Sequence, residues 1–516
     1  MDATGLGPLP GHADAPRPSR GCLPDAWMQE PGRHECCRSS PRTRLGPGRS
    51  THAKSQPVTR RFRRPPRNAF AILIDDGAEG GEPIVYGRPS QARGRCRGRG
   101  ASSFAAALEG RRVPAFEEAR RIVLERVGPL GCEVVPLLGA VGRVLAADQV
   151  APWDMPQWDN SAMDGYAVRA ADCADPKGLS VAGFLPAGQP AVEELGPGTA
   201  IRIMTGAPLP PGADAVVPIE NAEERAGLIV ATRRPVAGDH IRRKGGDIRE
   251  GETVLTAGTV IGPAEVSLLS SISRASVPVV RRARVAILST GDELLEPGEP
   301  LAAGKIYNSN ALALAAAALR AGATPLVLPI ARDDREALRT QLVEGLRADV
   351  LVTTAGVSVG DRDLVREVLR DLPVQEVFWK VDIQPGRPVA FALSGVTPIF
   401  SLPGNPVAAL LTFEMFVRPA LRRMMGHVRP LDVPLRARLG EAVTPRRDRV
   451  TLMRVRLERR GDQIVASSAG SQATGFLRTI VSADGVAIIP AGPETVAAGS
   501  AVDVYALRDE CLPWGA

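Results

Sequence analysis

Residues 285–293 read VAILSTGDE, an uninterrupted apolar run, Val285-Ala286-Ile287-Leu288, that ends in a polar turn carrying two carboxylates. A short apolar run without polar alternation marks a strand covered on both faces. The same texture recurs downstream. Ala311–Ala321 reads as a helix of small apolar residues, Leu326–Ile330 as a strand, and a further helix starts at Asp333-Asp334. Val350-Leu351-Val352-Thr353 then enters the glycine-rich loop AGVSVGDRD (355–363). Ile399-Phe400-Ser401 runs into LPGNP (402–406), followed by an apolar helix reaching about Met425. Strand–loop–helix repetition of this kind predicts a doubly wound α/β domain with helices on both faces of a parallel sheet.

In such a sheet, ligands bind beyond the carboxyl ends of the strands. Four loops place informative residues there. The first carries Asp292 and Glu293, the second Asp333 and Asp334. The third carries Gly356, Ser358, Gly360, Asp361 and Asp363, and the fourth Ser401, Pro403, Gly404, Asn405 and Pro406. Glycines let the backbone approach a ligand, and free N–H groups at helix starts attract oxyanions. Carboxylates beside an oxyanion site call for Mg²⁺, which takes few protein ligands and bridges phosphate oxygens. Each loop alone has a plainer reading: Asp333-Asp334 as a helix cap with its first-turn neighbour, PGNP as an ordinary turn. Neither the Walker A spacing nor GxGxxG is present. Four such loops on one edge point to a phosphate- or nucleotide-like anion with a divalent ion.

Outward from this domain the texture changes. Phe116, Ala119, Ile122 and Val123 share one helical face, and between Cys132 and about Val280 short β-branched runs alternate with Gly/Pro turns. Small β-rich domains are expected there, and again after Pro430, where Val450–Leu457, Gly485–Ile489 and Ala501–Tyr505 read as strands. The stretch DNSAMDGYAVR (159–169) packs Asp159, Asn160, Ser161 and Asp164 into six positions, with Gly165 permitting a bend. It reads either as an Asx-rich turn or as part of a site, and so does RIMTGAPLP (202–210) around Thr205. The domains expected are therefore a leader (1–108), a helix with β-rich domains (109–280), the α/β domain (281–430) and a small β domain (431–516).

The formal charge of +7 comes from 64 Lys+Arg against 57 Asp+Glu, but residues 1–100 alone hold 18 basic and 9 acidic residues. The rest of the chain is therefore slightly acidic, which argues against a nucleic-acid binder. That leader contains 13 Pro and 14 Gly, a composition of disorder or of an overextended start; a basic arm is the functional alternative. Four of seven cysteines and three of five histidines lie in it, so neither a disulfide framework nor a histidine-rich metal centre is expected in the body. The cysteine pattern fits a reducing cytoplasm. No apolar stretch of about 18 residues exists, so no membrane span is expected.

DNSAMDGYAVR (159–169), RIMTGAPLP (202–210), STGDEL (289–294), AGVSVGDRD (355–363), PGRP (385–388) and LPGNPVAALLTF (402–413) together resemble the molybdopterin molybdenumtransferase family, that of the gephyrin E domain. The resemblance runs from about Phe116 to Leu507. It implies that the α/β domain binds molybdopterin, and that the chain inserts molybdate into adenylylated molybdopterin with Mg²⁺, releasing molybdenum cofactor and AMP. It places Asp159, Thr205, Asp247, Glu293, Asp333 and Asp363 at functional polar positions, with Glu293, Asp333 and Asp363 as candidate metal ligands. Asp159 and Glu293 are also candidates to orient the attacking water. It implies that Pro403 and Pro406 shape the pterin pocket, that Lys380 and Arg387 pair with phosphate, and that Arg454 and Ser471 lie at the oxyanion end. A homodimer with an active site shared between subunits is implied, with contacts to the adenylyltransferase and to recipient molybdoenzymes. Ala355 stands where the family commonly has Gly, Gln384 where many members have Lys, and Arg387 where Lys is usual. The alternatives are a molybdopterin adenylyltransferase, which needs only residues 281–430, and a non-catalytic molybdopterin-binding scaffold.

Overall fold

A computed structural model describes residues 113–191, 193–355 and 364–508. The leader, the loop containing Gly356, Ser358, Gly360, Asp361 and Asp363, and the last eight residues lie outside them.

The α/β domain is built on a six-stranded sheet. Its strands are β1 (Arg284–Ser289), β2 (Thr324–Val327), β3 (Val350–Thr354), β4 (Gln375–Phe378), β5 (Ala390–Ser394) and β6 (Thr397–Leu402), in the order β2-β1-β3-β6-β5-β4. β2, β1, β3 and β6 run parallel, as expected, but β5 and β4 are antiparallel additions, so the sheet is mixed. Alternation along β1 divides the core. Val285 and Ile287 pack with α1 (Phe116–Arg126) and α2 (Ser309–Arg320), whereas Ala286 and Leu288 pack with α3 (Arg335–Gly345) and α4 (Leu364–Arg370). The long apolar segment after β6 is α5 (Pro406–Thr412), a π-helical turn over Phe413–Val417, and α6 (Arg418–Met424). Burying strand side chains this completely supplies about 1.5–3 kcal/mol for each large aliphatic residue.

Upstream, a six-stranded sheet from Gly165–Val168 to Leu228–Ala231 has a core on each face. A second small unit pairs Cys132–Pro136 with Ser276–Val280. Downstream, Leu435–Leu439, Val450–Arg460, Gln463–Ser468, Gly485–Ile489 and Ala501–Ala506 close into a barrel, because Gly485–Ile489 pairs with both Ala501–Ala506 and Val450–Arg460. Ile383-Gln384 adds to this barrel beside Val450-Thr451, which fixes the PGRP segment against the C-terminal domain. Arg120 on α1 reaches the same domain, donating to the Tyr505 hydroxyl at 2.9 Å. Among the described residues, no helix is long and apolar enough to cross a membrane.

Candidate active site

The parallel register aligns the ends of three strands: Ser289 lies opposite Thr354, and Thr354 opposite Leu402. The residues that follow, Thr290, Ala355 and Pro403, therefore emerge together where the strand order reverses, the usual ligand position in such a sheet. A cleft of about 450 Å³ opens there. Glu293, Ala355, Pro403, Gly404, Asn405 and Pro406 line it, together with Asn308, Ser309 and Asn310 from the start of α2. Glu293 is the one charged side chain among the described residues lining the cleft. Its carboxylate folds over Gly291, whose φ of 143° favours glycine there.

The acidic loops after β1 and β2 are joined: Asp333 N donates to Asp292 Oδ1 at 3.2 Å, and Arg332 donates to the Asp292 and Leu294 carbonyls. Asp334 is the cap of α3, accepting from Ala337 N at 2.8 Å, which leaves Asp333 as the carboxylate of that pair not used in capping. No group of three or more acidic, histidine or cysteine side chains placed to hold a metal occurs among the described residues. Mg²⁺ binds through one or two carboxylates plus substrate phosphate, and Glu293 is the exposed carboxylate that the cleft offers it.

The two N-terminal motifs meet the segment from Arg243 to Asp247 in one loop cluster. Asp159 accepts from Lys244 N (2.8 Å) and from the Arg243 guanidinium (2.7 Å), and these bonds hold its carboxyl below the usual range. Asp164 accepts from both Thr205 N and Thr205 Oγ1 at 2.7 Å, with the same effect on its carboxyl. Asp247 is tied in through its N–H to the Met155 carbonyl. Gly165 proves to be a strand residue rather than a bend; a Cβ there would lie 2.1 Å from the Val217 carbonyl. None of these residues lines the cleft of its own chain.

The remaining expected contacts disperse. Lys380 borders a separate cavity of about 500 Å³ with Trp379, Glu376 and Glu118. Arg387 pairs with Asp382 at 3.7 Å, and only its neighbour Pro388 reaches the cleft. Arg454 is fully buried. Its guanidinium holds the Ser471 and Ala473 carbonyls (2.8 and 3.2 Å) and the Thr479 hydroxyl, so the role visible in the structure is to shape the loop on which Ser471 is exposed. Among the described residues Arg454 Nη1 has no hydrogen-bond partner, so the guanidinium is not fully committed to that loop.

Three family models match the chain in order: MoeA N-terminal region (domain I and II) over residues 115–273, probable molybdopterin binding domain over 286–423, and MoeA C-terminal region (domain IV) over 436–507. Molybdopterin molybdenumtransferase 2 of Mycobacterium tuberculosis is 39% identical over 404 residues, covering 76% of this chain and 99% of that protein. The chain belongs to the molybdopterin molybdenumtransferase family. The family's Bacillus subtilis member is 35% identical over 409 residues, 77% of this chain and 95% of its own length. The crystal structure of a molybdopterin biosynthesis MoeA protein from Pyrococcus horikoshii superposes with a TM-score of 0.67 at 33% identity, covering 77% of this chain and all of that one.

Against the family pattern, Ala355 acquires a physical meaning. It sits at φ 74°, in the left-handed region, with its Cβ 3.3 Å from where a Cβ on Gly404 would lie. Ala355→Gly removes that strain at the cost of a floppier unfolded chain. We expect a net gain of about 0.5–1 kcal/mol, read as a higher urea midpoint; an unchanged or lower midpoint would contradict the strain. Reading the sequence overlooked Asn308, Asn310 and Thr354. The run Asn308-Ser309-Asn310 before an alanine-rich helix was a legible cap signal, and Asn308 indeed caps α2 by accepting from Ala311 N at 3.3 Å.

Proposed function

We propose that this chain inserts molybdate into adenylylated molybdopterin and releases molybdenum cofactor and AMP. The observation that carries the proposal is the cleft itself: three aligned strand ends and two helix starts converge on one exposed carboxylate, Glu293, in a chain of this family. Relatives bear the name molybdopterin molybdenumtransferase over nearly their whole length, which supports the transferase over the adenylyltransferase and scaffold readings.

The helix starts at Ser309 and Pro406 receive the anionic part of the substrate, and Pro403 and Pro406 wall the pterin. Glu293 orients the water that attacks the phosphoanhydride and accepts its proton, so that AMP leaves. Glu293 and Asp333, with Asp363 from the loop outside the described residues, would hold Mg²⁺, whose chemistry is to neutralise phosphate charge. Lys380 and Arg387 lie on the segment between β4 and β5, and their pairing with the phosphate is an expectation of the resemblance alone.

Because Asp159, Thr205 and Asp247 do not reach the cleft of their own chain, we place them at the cleft of a second copy in a homodimer. Mixing two inactive variants, Asp159→Asn and Glu293→Gln, then yields hybrid dimers with one intact site, and activity is regained. Failure of the mixture to regain activity, with dimers demonstrably exchanged, would contradict the shared site. A cytoplasmic setting, with handover from the adenylyltransferase and on to recipient molybdoenzymes, completes the proposal.

A further inference from the structure

We infer that Asn310 is a recognition and positioning residue whose amide oxygen accepts a hydrogen bond from the 2-amino group of the pterin ring; this rests on the molybdopterin reading of the cleft. Both hydrogens of its amide nitrogen are committed, one to Thr354 Oγ1 at 2.9 Å and one to the Gly404 carbonyl at 2.7 Å. A carbonyl oxygen only accepts, so the nitrogen must face Gly404 and the orientation of the amide is fixed by its partners. Thr354, having accepted from Asn310, gives its own proton to the Pro403 carbonyl at 3.3 Å. The bonds therefore run in one direction, from the start of α2 through the end of β3 to the loop after β6, and tie all three cleft-forming segments together.

What remains of Asn310 is an amide oxygen without a hydrogen-bond partner among the described residues, on a half-buried side chain lining the cleft. That oxygen needs a donor. Ionised phosphate and molybdate offer acceptors; adenine carries a ring amine of its own, and the pterin is assigned to this cleft because the proposed function places it between Pro403 and Pro406. The pyrimidine edge of a pterin presents an exocyclic amine. The same wall holds two buried polar atoms that lack partners among the described residues, Ser289 Oγ and Asn308 Nδ2, on residues 1% and 2% exposed. Buried polar groups are ordinarily paired, so such orphans beside Asn310 leave this wall with unused hydrogen-bonding capacity.

The test uses the full chain and two fluorescent probes, pterin-6-carboxylate and the corresponding 6-carboxylumazine, in which a carbonyl oxygen replaces the 2-amino group. Replacing a donor by an acceptor opposite Asn310 Oδ1 is expected to weaken binding about tenfold or more. Asn310→Ala should lose about tenfold in affinity for the pterin probe and lose the preference between probes. Thr354→Val, which loosens the loop tie but keeps the amide oxygen, should keep the preference. With adenylylated molybdopterin, Asn310→Ala should raise KM more than it lowers kcat. Unfolding midpoints of both variants, matched to the parent chain, separate recognition from misfolding. An Asn310→Ala chain that still prefers the pterin probe would overturn the inference while leaving the transferase reading intact. A parent chain that binds no molybdopterin at all would overturn both.

Discussion

Glu293→Gln is expected to slow AMP release by about 10²–10⁴-fold, the range set by loss of a positioned general base, while binding of adenylylated molybdopterin weakens only a few-fold. Glutamine keeps the size and one acceptor oxygen but removes the charge that takes a proton or holds a cation. No other carboxylate among the described residues lines the cleft, so no neighbour can substitute. The side chain also has nothing to stabilise structurally: it is exposed, at the end of β1, on a glycine that accommodates it. An unchanged unfolding midpoint with a collapsed rate is therefore the expected pair of results. Near-normal AMP release by the variant would remove Glu293 from the chemistry.

Arg320→Ala should have the largest effect on stability. Glu414 sits inside the π-helical turn after α5, 8% exposed, and its carboxylate is gripped by Arg320 from α2, with Arg418 at 3.8 Å as a second, longer contact. Arg320 also donates to the Leu507 carbonyl and so ties the α/β domain to the C-terminal barrel. Arg418 is shared with Asp432, which Arg422 holds as well. Removing Arg320 leaves a buried carboxylate poorly compensated, a change that costs about 3 kcal/mol. Burial already pushes the Glu414 carboxyl above its usual range in spite of Arg320 and Arg418. The folded state thus holds this proton more tightly than the unfolded chain. The stability it contributes is present below the ordinary carboxylate range and is lost as pH rises through the raised folded value. Arg320→Ala raises that value further. The deficit of the variant should accordingly be small at acid pH, where Glu414 is protonated, and grow as pH rises through the raised folded value. Glu414→Gln in the Arg320→Ala background should recover part of it. Urea unfolding across pH checks both statements, and a deficit independent of pH would contradict the role of Glu414.

The strands were legible wherever an uninterrupted apolar run met a polar turn, as at Val285–Leu288 and Val350–Thr353. The strand expected at Leu326–Ile330 instead spans Thr324–Val327. The strand tolerates Pro325 because β2 is an edge strand, where a missing N–H costs no ladder bond. The antiparallel strands β4 and β5 carried no signal of direction, because direction depends on connections rather than on side chains. Within the site, Glu293 was legible from its place immediately after a strand. Asn310 was not, since its partners Thr354 and Gly404 lie 44 and 94 residues away in sequence. The meeting of Asp159 with Lys244, and of Asp164 with Thr205, was hidden for the same reason. The burial of Arg454 contradicts the usual exposure of arginine and could only be seen once the barrel closed around it.

The most direct measurement follows AMP released when the purified chain meets adenylylated molybdopterin and Mg²⁺, with and without molybdate. The account predicts release that depends on molybdate, accompanied by cofactor able to activate an apo-molybdoenzyme. Tight binding of the substrate with no AMP released under either condition would contradict it.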